Sequence, residues 1–139
     1  MDARDIMTKS VITATPNETV GDALRRLEDQ SIRHLPVVEG ERLVGMISDR
    51  DLREYRLPLM EELDNPEHAD DLLNTPLSEL MGGSVLALDA GETIAQAVDL
   101  MLEYGIGAVP VVERHNETLV GIVSYVDVLK SIRPALDAD

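Results

Sequence analysis

"LVGMISDRDL" runs from Leu43 to Leu52, and "LVGIVSYVDV" runs from Leu119 to Val128. Each is an aliphatic run broken by one glycine and ending on a serine, with an aspartate three residues later. The aliphatic part reads as a strand. Ser48 with Asp51, and Ser124 with Asp127, read as the capped starts of helices. A strand passing directly into a helix, written twice in 139 residues, makes internal repetition the first question.

Working outward, placing Met7 on Met81 brings the flanking sequence into register. "SVITATPNETVGDAL" from Ser10 lies on "SVLALDAGETIAQAV" from Ser84, and "SIRHLPVVE" from Ser31 lies on "GIGAVPVVE" from Gly105. A two-residue insertion within "RHNET" restores the match of the opening pair, and Pro58 corresponds to Pro134. Each repeat reads as strand, helix, strand, strand, helix. "SVITA" and "SVLAL" are the short first strands. Thr19 with Asp22 opens a helix whose Val20, Ala23, Leu24 and Leu27 fall on one face, and Thr93 with Gln96 opens its counterpart, with Ile94, Ala97, Val98 and Met101. "HLPVVE" and "RLVGMIS" are joined by the turn "EGE" as a hairpin; "AVPVVE" and "TLVGIVS" are joined by a longer loop. The last helix of each repeat starts after Ser48 or Ser124 and is expected to stop before its proline.

The fold class is therefore α/β of the α+β kind, with two β-α-β-β-α motifs and small sheets packed against helices. A unit of about fifty residues is too small to close a core alone, so two copies sharing one core about a pseudo-twofold axis are expected. The division expected is 1–58 for the first motif, 59–75 for a helical connector and 76–134 for the second. In the connector, Asn65 before Pro66 and Thr75 before Pro76 read as cap and first-turn pairs, and the acids from Glu61 to Asp71 as a solvated face.

Composition removes several classes of function. The formal charge is −15, from 27 acids against 12 bases, which opposes nucleic acid and anionic membrane as partners. With three Tyr and neither Trp nor Phe, base stacking has little to work with. Absence of cysteine removes disulfides, zinc–thiolate sites and cysteine nucleophiles. No stretch is apolar enough for a membrane span, and "MDARDIMTKS" lacks the apolar core of a secretory signal, so a soluble cytoplasmic protein is expected. Only Lys9 and Lys130 are lysines; such a surface suits a high-salt cytoplasm, though an ordinary acidic protein accounts for it equally.

These residues resemble a known family. Each repeat resembles a CBS motif, the unit named after cystathionine β-synthase, and the pair resembles a stand-alone Bateman module. The resemblance rests on "DIMTKSVITATPNETVGDAL", "IRHLPVVE" and "LVGMISDRDL", with their partners "ELMGGSVLALDAGETIAQAV", "IGAVPVVE" and "LVGIVSYVDV". It implies a non-catalytic regulator with no required cofactor. It implies binding of an adenosine-containing ligand, AMP, ADP, ATP or S-adenosylmethionine, in clefts between the motifs, a homodimer forming a disc of four motifs, and a regulated protein that the sequence does not identify.

The SxxD pairs then carry two readings. As a cap, serine with aspartate at the third helical position stabilises a helix start by ~0.5–2 kcal/mol. As a site, the hydroxyl and the free N–H groups of a helix start meet a phosphate, and the carboxylate accepts the hydroxyls of a ribose. The resemblance puts phosphate contact on Ser48 and Ser124 and ribose contact on Asp51 and Asp127. Adenine is expected against Val11, Ile12 and Thr13, or Val85, Leu86 and Ala87, with Val37 or Val111 closing the pocket and Pro36 and Pro110 shaping the strand entry. The copies differ in charge. Lys9, Arg33, His34 and Arg50 of the first repeat correspond to Gly83, Gly107, Ala108 and Val126 of the second, so unequal sites are expected; surface pairing with carboxylates is the plainer role for Arg33, His34 and Arg50.

An interaction or dimerisation module with vestigial clefts is the competing function. An enzyme has little support: His34, His68 and His115 show no metal spacing, and no glycine-rich phosphate loop or paired nucleophile and base appears.

Overall fold

The structure is a computed structural model that describes residues 1–82 and 85–137. Gly83 and Ser84, the counterparts of Lys9 and Ser10, lie outside the described residues. In chain order the elements are α1 (Ala3–Ile6), α2 (Val20–Gln30), β1 (His34–Glu39), β2 (Arg42–Ser48), α3 (Asp49–Leu52) and a 3₁₀ turn over Arg53–Tyr55. There follow α4 (Leu59–Asp64), α5 (Pro66–Leu73), a 3₁₀ turn over Leu77–Glu79, β3 (Leu88–Asp89), α6 (Ile94–Tyr104), β4 (Ala108–Glu113), β5 (Thr118–Ser124) and α7 (Tyr125–Leu136).

The boundaries follow local chemistry. Thr19 and Thr93 form reciprocal capping boxes with Asp22 and Gln96 at the starts of α2 and α6. Both helices end on a left-handed residue, Ser31 and Gly105. Between β1 and β2, Gly40 takes φ +62°, which the tight turn requires. The first strands are shorter than expected. "SVITA" keeps only a bridge from Ala14 to Val37, and the second repeat keeps Leu88–Asp89. In the first repeat the Thr13 carbonyl accepts a hydrogen bond from the Arg26 guanidinium (2.8 Å). Helix α7 does not stop before Pro134 but runs two residues past it. In a last turn the proline removes one amide bond where few remain to be lost. In the connector, Pro66 does open α5 after Asn65, but Pro76, not Thr75, holds the cap position of its 3₁₀ turn.

The chain folds as two compact units that do not follow the repeat boundaries. One, the second-hairpin unit, contains residues 1–11, 41–43 and those from 86 onward; the other, the first-hairpin unit, contains 12–40 and 44–85. In the second-hairpin unit β4 and β5 pair antiparallel, from Ala108 opposite Ser124 to Glu113 opposite Thr118, and β3 lies parallel to β4. Arg42 extends the ladder opposite Thr118. Thr8 and Ile122 exchange two backbone hydrogen bonds (2.8 and 3.0 Å), and the Ala3 amide donates to Glu92 (2.8 Å). Ala3 is thereby buried with Leu88, Ala97, Val109, Val111 and Val123.

The first-hairpin unit repeats the arrangement with the other leading segment. The Leu77 amide donates to Glu18 (2.8 Å), and Leu77 is buried with Val20, Ala23, Leu35, Val37 and Ile47. Ala3 and Leu77 are counterparts in the repeat, as are Met7 and Met81. A Cβ at Gly121 would overlap the Met7 sulfur, and one at Gly45 would lie 2.8 Å from Met81 Cε. The glycine inside "LVG" is therefore the seat of a methionine from the opposite repeat. Instead of one shared core there are two, each drawing on both halves of the sequence. Helix α5 covers α2 in this unit, where a Cβ at Gly21 would come within 3.3 Å of the Leu73 carbonyl oxygen, and the acids from Glu61 to Asp71 are exposed.

Candidate functional site

At the start of α7 the Ser124 amide donates to Asp127 Oδ2 (2.9 Å), and the Asp127 amide returns a bond to Ser124 Oγ (3.2 Å). The Ser124 hydroxyl also lies 3.1 Å from Oδ2. The Tyr125 amide donates to the Gly107 carbonyl (2.9 Å), tying the helix start to the entry of β4. The other carboxylate oxygen, Oδ1, is approached by the Thr8 hydroxyl at 3.4 Å, from the leading segment that crosses into this unit.

The start of α3 is built alike in its backbone and differently at its edge. The Ser48 amide donates to Asp51 Oδ2 (2.8 Å), the Asp51 amide to Ser48 Oγ (3.3 Å), and the Asp49 amide to the Arg33 carbonyl (3.0 Å). The counterpart of Thr8 here is Gly82, which has no hydroxyl, so Asp51 Oδ1 has no hydrogen-bond partner among the described residues. Asp51 is exposed, whereas Asp127 is half-buried. The two SxxD pairs are thus closed capping boxes whose outer carboxylate oxygens meet different surroundings.

The remaining candidates are divided between the units. Val11 belongs with Leu86, Ala87, Gly107 and Ala108 in the second-hairpin unit; Ile12, Thr13 and Val85 belong with Arg33, His34 and Arg50 in the first. Val11, Ile12, Thr13, Val85, Leu86 and Ala87 are half-buried. Val37 and Val111 have no exposed surface, so each serves its core, and Pro36 and Pro110 are also buried. Arg33 and Arg50 are exposed. His34 is half-buried, and desolvation holds its imidazole below the ordinary range despite Asp49 and Asp51 nearby. Burial thus opposes a positive charge on this ring beside Arg33 and Arg50.

Sequence reading missed Thr8 and Asp49. The repeat register carried a signal for Thr8, since it faces Gly82 across the alignment, but nothing in the register says that its hydroxyl serves Asp127. In the first-hairpin unit an open concavity of about 490 Å³ has Leu24, Ile32, Arg33, Asp49 and Arg56 among its lining, and a smaller one of about 180 Å³ has Tyr55, Ala69 and Leu73. Ser48 and Asp51 line neither. Among the described residues no group of His, Asp or Glu is placed to hold a metal ion, and no helix is long and apolar enough to cross a membrane.

Comparison with known proteins follows this geometry. The family model for the CBS domain matches residues 3–58 and 77–134. The CBS domain-containing protein YhcV of Bacillus subtilis is 32% identical over 124 residues, covering 89% of this chain and 80% of its own. The structure of CBSX2, an Arabidopsis thaliana protein, in complex with AMP superposes with a TM-score of 0.76 at 28% identity, over 99% of this chain and 97% of that one. The CBS domain pair of protein MJ0100, in complex with 5′-methylthioadenosine and S-adenosyl-L-methionine, superposes with a TM-score of 0.75 at 26% identity, over 97% and 98% of the two chains. The chain spans less than half the length of two archaeal relatives, 45% of one from Methanocaldococcus jannaschii and 42% of one from Thermofilum pendens.

Proposed function

Because the chain belongs to the CBS domain family, whose paired motifs generally regulate rather than catalyse, we propose that it is a non-catalytic regulatory module that binds an adenosine-containing ligand and signals to a partner. The observation that carries this reading is the serine and aspartate at the start of a helix, built twice on the same strand-to-helix turn. AMP on CBSX2 and S-adenosyl-L-methionine on the MJ0100 pair support the ligand class. In this reading the ribose hydroxyls donate to the aspartate, and a phosphate or other polar tail meets the serine and the helix start. A module of this kind switches a partner only if ligand affinity differs between its states.

Of the two, the site on Asp127 is the stronger candidate. Thr8 restrains its outer oxygen before any ligand arrives, so less order must be created on binding. Lys9, next to Thr8, is the lysine of a leading segment whose other cation, Arg4, is paired with Glu113, and the positions matching Arg33, His34 and Arg50 are the uncharged Gly107, Ala108 and Val126. In a chain of net charge −15, one lysine suits a monophosphate or a sulfonium better than a triphosphate. AMP and S-adenosylmethionine therefore rank ahead of ADP and ATP.

Thermal shift and equilibrium dialysis with AMP, ADP, ATP, S-adenosylmethionine and, as a control, GMP test the reading. Saturable binding of an adenosine ligand is expected, with 2′-deoxy-AMP weaker by about tenfold or more if the carboxylate accepts a ribose hydroxyl. No saturable binding of any of them would overturn it. A specific observation favours the second reading, an interaction module: both capping boxes are satisfied without a ligand. That reading predicts a flat response to every nucleotide.

A further inference from the structure

The Asp127 site is completed by a segment written in the other repeat, and the contacts that hold that segment do not all favour docking. Residues 1–8 reach β5 through the exchange between Thr8 and Ile122. They reach the turn before α6 through the amides of Ala3 and Arg4, which donate to the carbonyls of Glu92 (2.8 Å) and Ala90 (3.2 Å). Ala3 is buried and Met7 sits over Gly121, so apolar contact holds the segment at two points. Against this, docking leaves Asp2 Oδ1 buried with no hydrogen-bond partner among the described residues, and a buried oxygen without a partner opposes the state that buries it. The ion pair of Arg4 with Glu113 (3.2 Å) is exposed to solvent and adds little. Helix α1, at four residues, has no stability of its own. Such a segment opens locally before the strands it covers.

Its chemistry ties that opening to the ligand site. Thr8 presents its hydroxyl to Asp127 Oδ1 (3.4 Å), and Lys9 is the next residue. When the segment leaves, the carboxylate that would accept the ribose loses its restraint, and the lysine leaves with it. A ligand on Asp127 therefore binds the docked form more tightly, and by linkage it holds the segment in place by the same factor. In the first-hairpin unit Gly82 stands in the position of Thr8 and offers Asp51 no hydroxyl, so occupancy there has no equivalent link.

We propose that residues 1–8 are the element through which the Asp127 site reports its occupancy: held down when an adenosine ligand is bound, and opening when it is not. This rests on the ligand reading given above and adds to it the path of the signal. Thr8 is a positioning residue in this scheme. What changes outside the site is the exposure of Ala3, Met7 and the edge of β5 at Ile122, whose amide loses the Thr8 carbonyl when the segment opens.

Hydrogen exchange of the full chain at the amides of Ala3, Thr8 and Ile122, with and without saturating AMP or S-adenosylmethionine, tests it. Equilibrium dialysis gives the affinities, and circular dichroism confirms that each variant is folded. The bound ligand is expected to slow these amides by about fivefold or more beyond any slowing at Val109 and Val111, which report the core as a whole. Thr8→Val keeps the backbone bonds and removes the hydroxyl; it is expected to bind the ligand about fivefold more weakly and to lose the slowing at Ala3. Ala3→Asp puts a charge where the segment is buried, away from the ligand groups, and is expected to weaken binding by a similar factor. Saturable binding with no such slowing, or with full affinity in both variants, would overturn the inference and leave the ligand reading standing. No saturable binding of either ligand by the wild type would remove the ligand reading and the inference with it.

Discussion

A methyl group at Gly121 would meet the Met7 sulfur and, at 3.0 Å, the backbone oxygen of Thr8, whereas at Gly45 it would meet only the side chain of Met81. A methionine end can swing aside and a paired backbone cannot. Gly121→Ala is therefore expected to cost about 1–3 kcal/mol by overpacking, and Gly45→Ala measurably less, in urea denaturation; equal costs would contradict the assignment. His34 supplies a second test. Its folded pKa lies below the unfolded value of 6.5 because burial disfavours the charged ring. As pH falls through 6.5 the unfolded chain takes up this proton first, so stability is complete above that pH and declines below it. His34→Gln is expected to remove that part of the decline, measured by unfolding between pH 8 and pH 5, and a variant with an undiminished decline would contradict it. At this scale the sequence was informative about Ser48, Asp51, Ser124 and Asp127, whose types and spacing declare a capped helix start. It was silent about Thr8 on Asp127, because the contact joins residues 119 positions apart.

The helices and hairpins were legible because they follow from short-range pattern: the one-sided apolar spacing from Val20 to Leu27, the threonine boxes, and the paired runs "HLPVVE" and "RLVGMIS". Three features were not. The first strands contract to a bridge from Ala14 to Val37 and to Leu88–Asp89, an extent of pairing that the residue pattern does not carry. Helix α7 passes Pro134 because a last turn tolerates the lost bond. The crossing of leading segments is invisible to an alignment, which makes Ala3 and Leu77 counterparts without saying which hairpin each serves. The crossing has a measurable consequence. Deleting residues 1–10 removes Ala3 and Met7 from the core of β3, α6, β4 and β5, not from that of the repeat in which they are written. Hydrogen exchange on such a truncation is expected to show protection lost first at Ala97, Val109 and Val111, with Leu35 and Val37 retained. Loss beginning at Leu35 and Val37 would contradict the crossing.

For the whole molecule the governing quantity is a net charge of −15, against which any phosphorylated ligand must be held. Affinity for such a ligand should rise as added salt screens the general repulsion, unless direct ion pairs to Lys9, Arg33 or Arg50 dominate binding. The central claim is that the serine–aspartate helix starts clamp an adenosine ligand and that the one bearing Asp127 is the better prepared. Calorimetric titration of AMP and S-adenosylmethionine into the wild type, Asp51→Ala and Asp127→Ala, each confirmed folded by circular dichroism, tests it most directly. The account predicts saturable heat for the wild type, its loss in Asp127→Ala, and a smaller change in Asp51→Ala. Undiminished binding by both variants, or no heat from the wild type with either ligand, would contradict it and leave the two aspartates as helix caps.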